Sequence, residues 1–234
     1  GDSLKKDILI KGESFYSDNN IDLKTNTEIT QVNIKEKYIT THAGDRYEFS
    51  CLVFATGSSS RVFPATTYPG VDIYYLRNIA DVNCINNLLK NSKKPLLIGG
   101  GYIGLELAAS MQEMGLSVSI IEQEDRLLKR VTAPVMSKFY KDLHESRGVK
   151  IFCDQSIETI NKIDNNYEVL TNNGISISTD LIIAGIGAIP NNKLAQDSGI
   201  KCKNGIIVDQ YCRTNVPYVF AAGDCANAFN DLYG

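Results

Sequence analysis

The 234-residue sequence predicts an α/β chain organised around a doubly wound parallel sheet, and three observations carry that expectation. Short apolar runs at Pro95–Ile98, Ser117–Ile121, Val149–Phe152 and Leu181–Ala184 are separated, in the first part of this region, by segments whose apolar residues recur every three or four positions. A glycine-rich turn, Gly99-x-Gly101-x-x-Gly104, joins the first of these runs to the segment that follows it. On either side of this region the pattern switches to a period of two, as half-buried strands require.

Taken in order, Glu28–Ile34 and Lys37–His42 alternate, and Ala43-Gly44-Asp45 supplies a turn before Arg46–Phe49, so a small antiparallel element is expected. Cys51–Ala55 is nearly all apolar, reads as a strand buried on both faces, and ends at Thr56-Gly57-Ser58. Ile79, Val82, Ile85, Leu88 and Leu89 define the inner face of a helix after Asn78. After the glycine turn, Ile103, Leu107, Met111 and Met114 form the stripe of a second helix that stops at Gly115. Pro134 opens a third, with Val135, Phe139 and Leu143 on its face and Gly148 closing it. Beyond Phe152, Ser156–Ile163, Tyr167–Leu170 and Ile175–Ser178 read as a meander, with Asn172-Asn173-Gly174 as its turn.

Composition narrows the function classes. With 43% hydrophobic and 22% charged residues, disorder, collagen and disulfide scaffolds are excluded. Acidic residues (27) outnumber basic ones (24) and no basic run occurs, which argues for a small-molecule or protein partner and against nucleic acid or anionic lipid. Leu181–Ile189 is too short to span a bilayer, and Gly1–Ile10 carries charges where a signal peptide needs its apolar core, so a cytoplasmic or matrix-like chain is expected. The six cysteines show no CxxC, no CxxxxC and no zinc spacing, and read mostly as buried or half-buried small hydrophobes. His42 and His144 carry no assigned role.

The glycine triplet gains weight from its setting: a strand before it, a helix after it, the small Ala108 on that helix and an acidic residue, Glu122, at the end of the next strand. Gly99 allows the tight turn, Gly101 lets a diphosphate approach the backbone, and Gly104 brings helix and strand together. The diphosphate then lies at a helix N-terminus, where free N–H groups favour an anion. Glu122 is placed to accept both ribose hydroxyls of an adenosine and to repel a 2′-phosphate. No Arg or Lys stands at positions 123–125, so NADH is expected over NADPH, unless Arg126 or Arg130 folds back onto the phosphate.

Several segments together resemble the pyridine-nucleotide flavoproteins that include glutathione reductase, in the branch of ferredoxin, putidaredoxin and rubredoxin reductases. Ala55-Thr56-Gly57 resembles that family's ATG motif; Thr214–Asp224 is similar to its T-x5-(Y/F)-A-x-G-D flavin signature; and Gly99–Glu106, GGGYIGLE, is similar to its nicotinamide signature. Leu76-Arg77, Arg130-Val-Thr-Ala-Pro134 with Phe139, Tyr140 and His144, and Gly185–Asn191 carry the branch.

The resemblance implies a Rossmann-like NAD(P)-binding domain over 68–187, inserted into a partial FAD-binding domain made of 1–67 and 188–234. No glycine triplet for the ADP half of FAD precedes residue 54, and the chain ends at Asp231–Gly234, so the resemblance implies an internal piece of a longer enzyme. For NAD it implies contacts from Gly99, Gly101, Tyr102, Ile103, Gly104, Glu106, Glu122, Arg130 and Gly187, with Tyr102 and Glu106 beside the nicotinamide. For FAD it implies Ile29, Ala55, Thr56, Gly57, Arg61 and Asp224. The implied activity is hydride transfer from NADH to FAD, followed by single electrons to an iron–sulfur or rubredoxin-type acceptor protein. The alternatives are an NADH oxidase, peroxidase or coenzyme A-disulfide reductase, and an isolated nucleotide-binding piece without activity.

Overall fold

The computed structural model describes residues 9–64 and 66–229; Asp231–Gly234 and most of Gly1–Ile10 lie outside them. The chain divides into two compact units, Gly1–Ser58 with Pro190–Gly234, and Ser59–Ile189. In the second, Phe63 packs, together with Tyr68 and Val71, on the same apolar cluster as the central strands.

Helix α1 (Glu13–Asp18) precedes an antiparallel meander of β1 (Ile29–Asn33), β2 (Tyr38–Thr41) and β3 (Arg46–Glu48), followed by β4 (Leu52–Phe54) and β5 (Ser58–Ser60). Then come β6 (Ile73–Tyr75), α2 (Ile79–Leu89), β7 (Pro95–Ile98), α3 (Tyr102–Glu113), β8 (Ser119–Ile121), α4 (Pro134–Ser146) and β9 (Lys150–Phe152). A second meander, β10 (Ile157–Ile163), β11 (Asn166–Thr171) and β12 (Ser176–Thr179), leads into β13 (Leu181–Ala184). The chain continues through β14 (Ala188–Pro190), α5 (Lys193–Asp197), β15 (Ile206–Val208), β16 (Val219–Ala221) and β17 (Ala226–Ala228).

In Ser59–Ile189 the strands assemble in the order β6-β13-β7-β8-β9, all parallel. Alternation along each strand sends Leu97, Ile120, Ile151, Leu181 and Ile183 into a core with Ile85, Leu105, Ala108 and Met111 of the helices. Leu96, Ile98, Ile121, Ile182 and Ala184 point the other way and pack on Ile160, Tyr167, Val169 and Ile177 of the meander. One face of the sheet is thus covered by helices and the other by antiparallel strands, so the parallel strands read as continuous apolar runs. Local signals end the helices where expected: Asn78 and Asp81 form a capping box on α2, Pro134 opens α4, and Gly115 and Gly148 adopt left-handed φ of 82° and 91°. No described helix is long and apolar enough to cross a membrane.

Several expected faces are corrected. On α3 the buried residues are Gly104, Leu105, Ala108 and Met111, while Ile103 and Met114 are exposed. The small residues must face the sheet for the helix to lie close to it, which rotates the stripe. On α2 only Ile85 and Leu89 are buried, and Ile79 and Val82 are exposed. On α4 Val135, Phe139 and Leu143 are exposed, Val135 by 73%, and the buried residues are Ser137 and His144. Ser137 faces inward because its hydroxyl donates to the Leu127 carbonyl at 2.6 Å. Hydrogen bonding, not apolarity, sets that face.

In the other unit β4 pairs in parallel with β16 and β15 with β17. Phe54, Val219, Ala221, Ile206 and Val208 form its core with Val32 of the meander. The strand expected to be buried on both faces is covered on one: Phe54 is buried but Val53 is 58% exposed, because alternation turns it away from the packed side. Of the cysteines, Cys225 is buried, Cys153 and Cys202 are half-buried, and Cys51, Cys84 and Cys212 are exposed, fewer inside than expected. Burial pushes the Cys153 and Cys202 thiols up, keeping them protonated at neutral pH.

Candidate functional site

The carboxyl ends of β7, β8 and β13 converge on the glycine turn. Gly99 has φ of 108°, and a Cβ there would lie 2.5 Å from the Gly185 carbonyl oxygen that follows β13. A Cβ on Gly104 would overlap the Gly99 carbonyl oxygen. Gly101, by contrast, has nothing within 4 Å of the Cβ position and serves as the N-cap of α3 without a side-chain cap. The first turn of α3 contains no acidic residue and no side-chain cap, so no side chain of the turn itself satisfies its N–H groups or offsets the positive end of the dipole. Two glycines are therefore required by packing, and the third leaves open backbone where a diphosphate fits.

Glu122 is held by the turn itself. Its Oε2 accepts the Gly100 N–H at 2.6 Å and its Oε1 the Glu124 N–H at 2.8 Å. Each carboxylate oxygen has two acceptor sites, so one on each remains for a ribose hydroxyl. Gly100, which sequence reasoning did not single out, is as constrained as its neighbours: a Cβ would lie 2.5 Å from a methyl of Leu127 and 3.1 Å from Glu122 Oε2. The signal was present as the middle one of three consecutive glycines. Past Glu122, the Lys129 ammonium pairs with Glu124 at 2.9 Å and Asp125 at 3.4 Å. Both terminal nitrogens of Arg126 are engaged, by Thr132 O and Lys129 O of their own segment and by Ser137 Oγ of α4, so Arg126 does not fold back toward a phosphate.

The remaining residues expected at a nicotinamide lie on or near the same sheet edge. Tyr102 (57% exposed), Ile103 and Glu106 stand on the outer side of the first turns of α3. Gly187, with φ of 110°, follows β13, and its carbonyl accepts the Arg61 N–H at 2.9 Å. Arg61, expected at a flavin, therefore sits in the Ser59–Ile189 unit against Gly187. Arg130 is exposed in the segment between β8 and α4.

In the other unit a second pair of parallel strands presents its carboxyl ends. Ala55, Thr56 and Gly57 follow β4, and Ala222, Gly223 and Asp224 follow β16, which pairs with it. The Ala222 N–H donates to the Phe54 carbonyl at 3.0 Å, and Ser58 Oγ donates to Asp224 Oδ2 at 2.9 Å. Segments far apart in sequence thus become one edge, carrying an aspartate oriented by a serine. Thr56 Oγ1 donates to the Asn191 carbonyl at 2.6 Å, and Asn191 Nδ2 returns a bond to the Thr56 carbonyl at 2.9 Å. Ile29 lies half-buried at the start of β1, in the meander. Ser58 was read only as part of a strand end and Asn191 only as part of a branch motif; the pairing of β4 with β16 places Ser58 against Asp224, and Asn191 is held by Thr56 and Gly57.

Residues 4–233 match the family described as pyridine nucleotide-disulphide oxidoreductase. The chain belongs to this family. Among its relatives in the family is the ferredoxin–NAD(+) reductase component of the 3-phenylpropionate/cinnamic acid dioxygenase of Photorhabdus laumondii, 34% identical over 94% of this chain and 58% of that protein. Putidaredoxin reductase of Pseudomonas putida is 33% identical over 100% of this chain and 57% of its own length. The chain thus spans less than two thirds of these curated relatives. Among solved structures, the ferredoxin reductase for the CYP199A2 system of Rhodopseudomonas palustris superposes with a TM-score of 0.91 at 28% identity, covering 100% of this chain and 58% of that one. The covalent putidaredoxin reductase–putidaredoxin complex gives 0.90 at 32% identity, covering 99% and 57%. Water-forming NADH oxidase from Lactobacillus brevis, at 24% identity and 0.85, shares the fold.

Proposed function

We propose that this chain carries the nicotinamide-binding part, residues 68–187, and two segments of the flavin-binding part, 1–67 and 188–234, of an NADH-dependent reductase that passes electrons through FAD to an iron–sulfur or rubredoxin-type protein. The observation that carries the reading is Glu122, fixed by the Gly100 and Glu124 N–H groups at the end of β8 with acceptor sites left for ribose hydroxyls. The acceptor class rests on the names of the relatives, which include a dioxygenase ferredoxin reductase component, a putidaredoxin reductase and a rubredoxin reductase.

The residues fit NADH and the ribityl side of FAD, while the glycine triplet expected for the ADP half of FAD is not found in residues 1–54. Gly101 and the α3 N-terminus receive the NADH diphosphate, Glu122 the adenosine ribose, and Tyr102 and Glu106 flank the nicotinamide, with Glu106 orienting its carboxamide. On the second edge Asp224, oriented by Ser58, would accept hydrogen bonds from ribityl hydroxyls of FAD, beside Ala55, Thr56 and Gly57. Bound FAD supplies the capacity to accept a hydride and to release electrons singly. The chain's own work is to bind, orient and exclude, and the hydride step itself requires no proton from a side chain of this chain.

NADH is preferred over NADPH because a 2′-phosphate would meet the Glu122 carboxylate, while Lys129 is engaged by Glu124 and Asp125 and Arg126 by Thr132, Ser137 and Lys129, which leaves the exposed Arg130, among the described residues, as the one expected cation without such an engagement. Fluorescence titration of the purified chain with each nucleotide tests this. NADH is expected to bind at least about tenfold more tightly, the effect of roughly one like-charge contact; equal or tighter binding of NADPH overturns the preference, and no binding of either overturns the nucleotide site.

A further inference from the structure

Between β8 and α4, residues 122–133 form neither helix nor strand, yet Leu127 and Leu128 are 1% and 4% exposed and sit in the central core. Something other than secondary structure must take up the backbone carbonyls of this segment. Arg126 and Ser137 do so. Arg126 Nη1 donates to the Thr132 carbonyl at 2.9 Å and to Ser137 Oγ at 2.6 Å, and Nη2 donates to the Lys129 carbonyl at 3.0 Å. The hydroxyl of Ser137, a residue 3% exposed, in turn donates a hydrogen bond to the Leu127 carbonyl at 2.6 Å. One planar guanidinium and one hydroxyl thereby fix three carbonyls in a geometry that a single ammonium cannot reproduce.

The segment so fixed grips the glycine turn. The Leu128 N–H donates to the Gly100 carbonyl at 3.0 Å, the Leu127 side chain fills the space where a Gly100 Cβ would be, and the Gly100 N–H binds Glu122. Leu128 does this with a left-handed φ of 53°, a conformation that a branched apolar residue holds only when its surroundings impose it.

We propose that Arg126 is a positioning residue for the adenosine half of the nucleotide: it touches no nucleotide atom, but through the Leu127–Leu128 segment it sets the place of Gly100 and hence the seat formed with Glu122. The proposal rests on the nucleotide-binding reading given above, and two independent readouts separate the two. The first needs no nucleotide. In Arg126→Gln, amide hydrogen exchange at Gly100 and Leu128 is expected to speed up about tenfold, the loss of roughly one charge-assisted bond, while the amides of β7 and β13 keep wild-type rates. The second is titration with NADH and with ADP-ribose, both expected to weaken about tenfold. Arg126→Lys should recover part of each effect, and Ser137→Ala, which leaves the arginine but removes one acceptor, should move both readouts in the same direction by less. These two variants keep the test alive should Arg126→Gln fail to fold.

Unchanged exchange at Gly100 and Leu128 overturns the clamp. Faster exchange everywhere, β7 and β13 included, also overturns it, because Arg126 would then support the fold and not the turn. Altered exchange with unchanged NADH and ADP-ribose affinity overturns the link to the adenosine seat. A wild-type chain that binds neither nucleotide overturns the nucleotide reading, and with it the part assigned to Arg126.

Discussion

The two strand edges use the same geometry and differ in how they are assembled. In Ser59–Ile189, the turn Gly99–Gly104 and Glu122 lie within a short stretch of chain, and the carboxylate is bound by main-chain N–H groups of that stretch. In the other unit, Ala55–Gly57 and Asp224 are joined only because β4 pairs with β16, and the carboxylate is oriented by the Ser58 hydroxyl. The first edge is a local device whose constraints are steric and backbone-borne. The second depends on a pairing between distant segments, and its orienting bond is a side-chain one.

The contrast is sharpest at the glycines. Gly104→Ala drives a methyl into the Gly99 carbonyl and is expected to cost about 2 kcal/mol or more of stability in urea unfolding, and to abolish NADH binding. Gly101→Ala meets nothing within 4 Å, so stability should change by less than about 1 kcal/mol, while NADH affinity falls because the methyl occupies the diphosphate's approach. If both variants lose stability equally, the division between a packing glycine and a binding glycine is wrong.

Glu122→Ala comes next. It leaves the Gly100 and Glu124 N–H groups without their acceptor and removes the ribose partner, so NADH affinity should drop by at least about tenfold with a stability loss of about 1–2 kcal/mol. Ser58→Ala in the other unit should cost about 1 kcal/mol by thermal unfolding and leave the affinity for NADH as it was. A large fall in NADH affinity there would erase the distinction between a locally built edge and one built at long range.

The smallest effect concerns pH. Burial, reinforced by Arg147, holds the His144 imidazole below its usual value. The folded state therefore takes up its proton less readily than the unfolded state, and stability is full above about pH 6.5, the unfolded value, and declines as pH falls from there through the lowered folded value. His144→Gln should flatten that part of the stability–pH curve; an unchanged slope would assign the acid sensitivity to another group.

What the sequence made legible follows the same division. The glycine triplet, Glu122 at the end of its strand, the helix start after Asn78 and the turn at Asn172–Gly174 were readable because each is a short-range pattern with its own steric or hydrogen-bonding cause. The inner face of α4 was not. Val135, Phe139 and Leu143 have the spacing of a buried stripe, but Ser137 is drawn inward by Leu127 and Arg126, a partnership between segments that periodicity does not register. The contacts of Ser58 and Asn191 were unreadable for the same reason, since they exist only once distant segments are side by side.

The sheet order β6-β13-β7-β8-β9 has a consequence for how the chain is made. The strand that separates β6 from β7 is synthesised last of the five, after the meander β10–β12. Until Leu181–Ala184 has left the ribosome, β6 has no neighbour in this sheet and β7 keeps one edge open, while the meander can close on local hairpin contacts alone. Docking of β13 is thus the step that converts a set of waiting segments into a sheet, and the interval before it is when exposed strand edges are most available to other chains.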